Sequence, residues 1–127
     1  MHKSRLAGFI IDCQDADARE AAGFWGPALG MAIHEWPADE GGRYVKLVDP
    51  DGRLHVETQT VSHPSRMHLD IETDDIEAEV KRLEALGAKR VTQIRTWWVM
   101  EAPTGQRFCV VRPQSPHFAE LATVWPD

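Results

Sequence analysis

Several polar side chains stand at alternating positions of predicted β-strands, where they could do chemistry together. His68 and Asp70 are two residues apart, and so are His55 and Glu57. Because successive side chains of a strand point to opposite faces of a sheet, the members of each pair share a face. A histidine beside a carboxylate can transfer protons, and the carboxylate can orient the imidazole or act as a base. His68 and Asp70 are therefore the candidate catalytic residues; a hydrogen-bonded histidine and a solvated or salt-bridged carboxylate are the structural alternatives.

Four further side chains also point away from the predicted helices and could bind a substrate. They are Tyr44, Trp97, Glu101 and Arg107. Arg107 could hold a carboxylate or phosphate through two hydrogen bonds, or it could pair with Glu57 or Asp70. Trp97 and Trp98 are adjacent, so one ring enters the core while the other could stack on a planar ligand or fill space.

The chain has two cysteines, Cys13 and Cys109, which are too few for a disulfide scaffold and match no zinc-binding spacing. This pattern indicates a reducing compartment. Cys109 is either a small packing residue, which is the commoner role of a free cysteine, or a nucleophile or ligand.

An internal repeat determines which elements carry these residues. Each half begins with an alternating strand, continues with an amphipathic helix that ends at Leu-Gly, and then has three strands. The predicted strands that follow the helices are Met31 to Trp36, Arg43 to Val48, Arg53 to Thr60, Lys89 to Ile94, Thr96 to Glu101 and Gln106 to Arg112. We expect one domain, with a first module at residues 5–60, a linker at 61–65, a second module at 66–112 and a tail at 113–127.

Capping residues are predicted at both helices. Asp15 precedes the first helix, and Asp74 and Glu77 have capping-box spacing at the second. Gly30 and Gly87 fit the left-handed position that follows a helix. The apolar residues of the tail, among them Trp125, predict either a packing extension or an interface element, and Trp36 and Trp125 could serve a dimer interface.

The repeat and several motifs together resemble the glyoxalase-like, or vicinal oxygen chelate, superfamily. The motifs are FW-x-x-x-LG at residues 24–30, MHLDIETDD at the start of the second half, RLEALGA at the end of its helix, and APTGQRFCVV. The resemblance covers residues 5–112 and implies an α+β fold, in which two βαβββ modules form a curved mixed sheet of two half-barrels around a cup. It also implies a homodimer. Because the superfamily includes lyases, isomerases, dioxygenases and antibiotic-sequestering (bleomycin resistance) proteins, the resemblance is specific for the fold and not for the reaction.

Catalytic members of this superfamily place one metal ligand on the first strand and one on the last strand of each module. The matching positions here are Gly8, Glu57 (or His55 if the register slips), His68 and Cys109. Glycine has no ligand atom, and Cys109 stands where a glutamate would be expected. The resemblance therefore implies His68 and Glu57 as metal ligands, with His55 or Cys109 as a third. Zinc or a similar divalent ion suits these donors but is not favoured, because the set is incomplete.

Composition excludes several classes of protein. The net charge is −6 and no basic run is present, which argues against nucleic acid and anionic membranes as partners. No apolar stretch is long enough to cross a bilayer, and an acid appears too early for a secretory signal, so we expect a cytoplasmic protein. Phosphate-binding and serine-hydrolase motifs are also missing from the sequence.

Two functions remain open from the sequence, and both have a small molecule as partner. One is a lyase or isomerase that stabilises an oxyanion or enolate of a compact organic substrate. The other is a non-catalytic protein that sequesters an aromatic drug or metabolite. His68 and Asp70 favour the enzyme, whereas the incomplete ligand set and the adjacent tryptophans favour sequestration.

Overall fold

The computed structural model describes residues 1–34 and 43–126, and the chain forms two compact units. We call Gly8–Met67 the first-half unit, and Met1–Ala7 together with His68–Asp127 the second-half unit. Each combines helix with strands in parallel and antiparallel pairing, so the predicted α+β class is confirmed. Within the described part of the chain, no helix has the length and apolar character needed to cross a bilayer.

The first-half unit places one helix against a mixed sheet. Its elements are the later part of β1 (His2–Gln14), then α1 (Ala18–Leu29), β2 (Ala32–His34), β3 (Tyr44–Val48) and β4 (His55–Val61). β1 pairs in parallel with β4, β4 pairs antiparallel with β3, and β3 pairs antiparallel with β2. The core between helix and sheet consists of Ile11, Ala18, Ala22, Val45, Leu47 and Val56. Trp36, the predicted end of β2, lies outside the described residues.

The second-half unit repeats this order of elements and adds the tail. Its elements are β5 (Arg66–Thr73), α2 (Ile76–Ala85), β6 (Lys89–Ile94), β7 (Trp97–Glu101), β8 (Arg107–Val111), α3 (Phe118–Leu121) and β9 (Thr123–Trp125). β5 pairs in parallel with β8, and β8, β7 and β6 pair antiparallel in turn. The core against α2 consists of Val80, Leu83, Met100 and Val110. The repeat predicted from the sequence is therefore a repeat of structure.

The helix starts differ from the prediction by one or two residues. Asp75, not Asp74, caps α2, because the Asp75 carboxylate accepts a hydrogen bond from the Ala78 amide at 3.1 Å. Asp74 instead accepts from the backbone amide of Lys3 at 2.8 Å. Likewise Asp17, and not Asp15, caps α1. Acidic residues are consecutive or nearly so at both sites, and at α2 the contact of Asp74 with Lys3 leaves Asp75 to cap the helix.

The tail packs against its own chain. β9 pairs antiparallel with the start of β1, and the Trp125 indole donates to Ser4 Oγ at 2.7 Å. Earlier in the tail, the fully buried Glu72 carboxylate accepts from the amides of Gln114 and Ser115 at 2.6 and 3.0 Å. The Ser115 hydroxyl and Arg5 also donate to it. Of the two interpretations of the tail, the structure therefore shows the packing extension.

A second buried carboxylate joins α2 to both ends of the chain. Glu79 is fully buried and accepts from His2 Nε2 at 2.7 Å and from Arg82 at 2.9 and 2.8 Å. The Arg82 guanidinium in turn lies 3.9 Å from the centroid of the Trp125 ring. Burial alone would raise the pKa of Glu79, but hydrogen bonds from Arg82, His2 and Ser4 outweigh it and hold that pKa below its ordinary value.

Gly8 lies where β1 and β4 come unusually close. It pairs with His55, and a Cβ at Gly8 would lie 2.0 Å from the His55 carbonyl oxygen. Since the obstructing atom belongs to the backbone, no side-chain rotation can make room for it. Position 8 therefore requires glycine in this backbone.

We expect the Glu79→Gln variant to lose the acid sensitivity that Glu79 confers. The pKa of Glu79 is lowered by folding, so its contribution to stability is complete above pH 4.5, its ordinary value, and is lost as the pH falls below that value towards the folded-state pKa. The free energy of unfolding from urea titrations at several pH values measures this. The curve of Glu79→Gln should fall less steeply than that of the wild type, whereas Glu120→Gln, at an exposed position, should follow the wild type. Parallel curves for Glu79→Gln and the wild type would contradict the prediction.

We expect Gly8→Ala to lower the free energy of unfolding by at least about 2 kcal/mol, because the backbone must move to admit the methyl group. Gly23 is a matched control: it lies within α1, and a Cβ there meets no atom within 4 Å. Gly23→Ala should raise the free energy of unfolding by about 0.5–1 kcal/mol, because alanine favours the helix. Urea unfolding of both variants tests the pair, and a Gly8→Ala protein as stable as the wild type would disprove the close approach.

Candidate functional site

The candidate site lies on the face of the second-half sheet that points away from α2. Ile71, Trp98 and Phe108 pack with the core against the helix. Side chains one or three residues away along the same strand therefore point to the other face. They include His68 and Asp70 on β5, Cys109 on β8 and Trp97 on β7.

Strand register brings three of these side chains together. Asp70 is the direct partner of Cys109 in the parallel pair of β5 and β8, and His68 precedes Asp70 by two residues on the same face. His68 Nε2 lies 3.5 Å from Asp70 Oδ1. One ligand atom from each residue can be chosen so that all three lie within 4.8 Å of one another. We call His68, Asp70 and Cys109 the His68 cluster.

The His68 cluster is largely shielded from solvent. The His68 side chain is 13% exposed and that of Asp70 is 6% exposed, while Cys109 is half-buried. Reduced exposure strengthens the electrostatic interaction of a carboxylate with a neighbouring polar group, because less water screens it. A shielded imidazole with a carboxylate at this distance can exchange protons with a substrate or stabilise negative charge on it.

Glu72 continues the same face but has a different role. Its carboxylate oxygens accept hydrogen bonds from the tail and from Arg5, and its side chain is fully buried. A carboxylate with its oxygens engaged in this way anchors structure. It therefore attaches the tail to the strand that carries His68 and Asp70.

The predicted substrate-binding residues of the second half border the cluster. Val99 is the partner of Cys109 across β7 and β8, and Trp97, two residues before Val99, is half-buried on the same face. Arg107 pairs with Glu101, its direct cross-strand partner, at 3.1 Å. Neither Glu57 nor Asp70, the partners considered from the sequence, takes this place, because register puts Glu101 opposite Arg107.

The remaining predicted residues belong to the first-half unit. His55 Nε2 and Glu57 are hydrogen bonded to each other on β4, which confirms that residues two apart share a face. The Tyr44 hydroxyl accepts from Gln59 Nε2 at 3.0 Å. Glu57 and His55, implied as metal ligands by family resemblance, lie on β4 of the first-half unit.

The ligand pattern of the superfamily does not fit this chain. Gly8 offers no donor atom, and the His55 carbonyl leaves no space at that position for a side chain that could supply one. At least one of the four metal-ligand positions of the superfamily therefore has no ligand in this chain. By contrast, the His68 cluster supplies nitrogen, oxygen and sulfur donors from the second half alone.

The two cysteines differ in their surroundings. Cys13 packs against the first-half core, and burial, followed by the charge of Asp12, raises the pKa of its thiol. A raised thiol pKa suppresses the reactive thiolate. Cys109 instead lies beside His68 and Asp70. The sequence indicates Cys109 and Asp70 separately as candidates, and only the cross-strand register shows that they are partners.

The chain is similar to known proteins both in sequence family and in fold. A family model for the glyoxalase-like domain matches residues 8–111. No curated protein matches the chain. Among solved structures, methylmalonyl-CoA epimerase from Mycobacterium tuberculosis is 15% identical, with 91% of this chain and 93% of that chain covered and a TM-score of 0.54. A glyoxalase/bleomycin resistance protein/dioxygenase superfamily member from Vibrio splendidus 12B01 is 19% identical, with 84% and 98% covered and a TM-score of 0.51.

A third solved structure of similar fold is named as a dehydrogenase. The NAD-dependent benzaldehyde dehydrogenase from Legionella pneumophila is 10% identical, with 83% of this chain and 99% of that chain covered and a TM-score of 0.60. At such identities the likeness shows the fold alone. The match of the family model over most of the sequence shows the family: the chain belongs to the glyoxalase-like domain family.

Proposed function

We propose that the protein is an isomerase or lyase that acts on a small carbonyl compound, with its chemistry at the His68 cluster. The observation that carries the proposal is the shielded pair of His68 and Asp70, whose Nε2 and Oδ1 atoms are 3.5 Å apart. Perturbed or paired ionisable groups on a concave or shielded face are typical of catalytic sites.

Both reaction classes share one intermediate. When a base, here the Asp70 carboxylate, takes the proton from a C–H bond next to a carbonyl group, the electrons of that bond move onto the carbonyl oxygen and form an enolate. Return of the proton to carbon gives an isomer, and expulsion of a leaving group from the neighbouring carbon gives the product of a lyase. A group that stabilises the enolate oxygen therefore accelerates either reaction.

The residues of the cluster are suited to that stabilisation. The imidazole of His68 can donate a hydrogen bond to the developing oxyanion, and the Asp70 carboxylate can orient the ring. Arg107, two residues before Cys109 on the same face, presents a partly exposed guanidinium that could hold an anionic group of the substrate. A known epimerase among the structural neighbours supports the isomerase alternative by showing that this fold can host one.

Sequestration of an aromatic ligand is the second candidate function, and Trp97 favours it. The indole is half-buried on the same face as Cys109, at a diagonal position across β7 and β8. A ligand seated near the cluster would thus meet an aromatic ring, and stacking needs no catalytic group.

We expect His68→Ala to abolish exchange of α-hydrogens catalysed by the protein. A panel of small ketones, 2-oxoacids and acyl thioesters in D₂O, followed by proton NMR, would reveal the substrate class through loss of the α-proton signal. The variant should slow the exchange by about 100-fold or more, the usual contribution of a positioned acid–base group. His117→Ala, which removes an exposed histidine of the same unit, should leave the rate unchanged. If the wild-type protein exchanges no α-hydrogen in the panel, the isomerase and lyase proposal fails.

We expect Trp97→Leu to separate the two candidate functions. If the protein sequesters aromatic molecules, such ligands will quench tryptophan fluorescence in the wild type, and the variant will bind them at least about tenfold more weakly, because the stacking surface is gone. Trp25→Leu serves as the comparison, since Trp25 packs against the first-half core. Equal affinities for Trp97→Leu and the wild type would remove the support for sequestration.

A further inference from the structure

A second concave surface lies at one end of the second-half sheet, beside the start of α2. It is an open cavity of about 710 Å³, a volume that suits a small molecule, and all of its lining residues belong to the second-half unit. They come from the junction of β5 with α2, from the turn between β6 and β7, and from the segment that follows β8. We call this cavity the arginine pocket, because both Arg95 and Arg112 line it.

Strand register explains why these two arginines line one cavity. Glu72 and Val111 are the last partners in the parallel pair of β5 and β8, so Thr73 and Arg112 follow them at the same end of the sheet. The turn that carries Arg95 immediately precedes β7, which pairs antiparallel with β8. Residues that are distant in sequence therefore meet where β5 and β8 end and β7 begins.

The arginine pocket is separate from the His68 cluster. Trp98 lines the pocket and packs with the core against α2. His68, Asp70 and Cys109 point to the opposite face of the same sheet. A ligand in the pocket would therefore contact different side chains from a substrate at the cluster.

The acidic side chains that line the arginine pocket already have hydrogen-bond partners. Glu77 accepts from Arg90 at 3.2 and 2.7 Å, so its charge is paired. Asp75 accepts from a backbone amide as the cap of α2, and Asp74 accepts from the backbone amide of Lys3. The start of α2 is thus closed by its own capping residue, and the helix end is not the feature that would attract a ligand.

The two arginines differ from these acids. Both side chains are exposed, and neither guanidinium forms an ion pair or hydrogen bond with any residue in the described ranges 1–34 and 43–126. A guanidinium can hold a carboxylate or a phosphate through two parallel hydrogen bonds. The positive charge of the pocket is therefore available to a ligand, whereas its negative charge is engaged within the protein.

The backbone at Arg95 also favours a role for its side chain. Ile94 and Trp97 are partners, so Arg95 is the first residue of a two-residue hairpin turn, and its φ is 52°. Glycine, asparagine and aspartate adopt this left-handed conformation more readily than arginine. Non-glycine residues held in such conformations are concentrated at sites that bind ligands.

We propose that the arginine pocket binds a small organic dianion, either a phosphate monoester or a dicarboxylate. Two guanidinium groups match a doubly charged oxyanion better than a singly charged one. Thr96 and Trp98 also line the pocket, and they offer a hydroxyl group and an apolar ring to the organic part of the ligand. The inference goes beyond the proposed function, because it uses no residue of the His68 cluster.

Isothermal titration calorimetry of the full-length protein at about pH 8, where a phosphate monoester is doubly charged, tests the proposal. Phenyl phosphate and phthalate represent the two kinds of dianion, and benzoate is a monoanion with the same ring. We expect one equivalent of at least one dianion to bind per chain, at least about tenfold more tightly than benzoate, and less tightly as sodium chloride is added. Phenyl phosphate and phthalate affinities no greater than that of benzoate would overturn the proposal.

Matched variants identify the arginines that bind the tighter dianion. Arg112→Gln and Arg95→Asn should each weaken its binding at least about tenfold, because each removes charge-assisted hydrogen bonds. Asparagine is chosen at position 95 because it tolerates the left-handed turn. Lys89→Gln removes an exposed positive charge elsewhere in the same unit and should change the affinity by less than about twofold. Circular dichroism establishes that each variant is folded. Unchanged affinity in both Arg112→Gln and Arg95→Asn contradicts the proposal.

Backbone amide chemical shifts of the isotope-labelled protein locate the dianion without any substitution. We expect the largest changes on titration at residues 73–77, 93–98 and 111–114, which surround the arginine pocket. Changes concentrated instead at residues 68–70 and 107–109, together with loss of binding in Arg107→Gln, would place the dianion on the face of the His68 cluster. That outcome would overturn the second site and leave the isomerase or lyase proposal standing.

Discussion

Parallel pairing between the first and last strands of each module is the constraint on which the rest of the structure depends. In the second half it places Asp70 opposite Cys109, and in the first half it places Gly8 opposite His55. Each pairing also buries one face of the sheet beneath its helix, because side chains alternate along a strand. The same backbone arrangement therefore determines the core, the candidate site and the position where no side chain fits.

The two modules have diverged in what this shared arrangement carries. The second half has three potential ligands side by side, whereas the first half has a glycine at the corresponding first-strand position and a histidine hydrogen bonded to its neighbouring carboxylate. Packing of the apolar face specifies the register, so two modules can share their backbone pairing while their polar side chains differ. Because of this difference between the modules, the chain belongs to the family although it lacks the full set of metal ligands found in the family's catalytic members.

Two buried carboxylates make the tail part of the second-half unit. Glu72 holds the segment at Gln114 and Ser115, and Glu79 joins His2 and Arg82, whose guanidinium contacts the Trp125 ring. Burying a charged group is costly unless it is fully hydrogen bonded, and removing its partners would leave that cost uncompensated. Glu72 follows Asp70 by two residues on the same strand, so the anchoring of the tail also restrains the strand of the candidate site.

The sequence by itself determined the repeat, the α+β class and the strand faces. Apolar periodicity predicted which side of each strand meets a helix, and residues such as Val45, Met100 and Val110 confirm it. His68 and Asp70 could be paired in advance because alternation is a local property of the chain. Alternation alone could not give the distance between the His68 and Asp70 side chains, nor the hydrogen-bond partners of the other acidic residues.

Only the tertiary structure decided which distant residues meet. The partnership of Asp70 with Cys109, the pairing of Arg107 with Glu101 and the cap at Asp75 all depend on register or on contacts between segments far apart in sequence. The demand for glycine at position 8 likewise comes from the approach of a separate strand. Local pattern determines which way a side chain points, whereas the packing of whole elements determines what it points at.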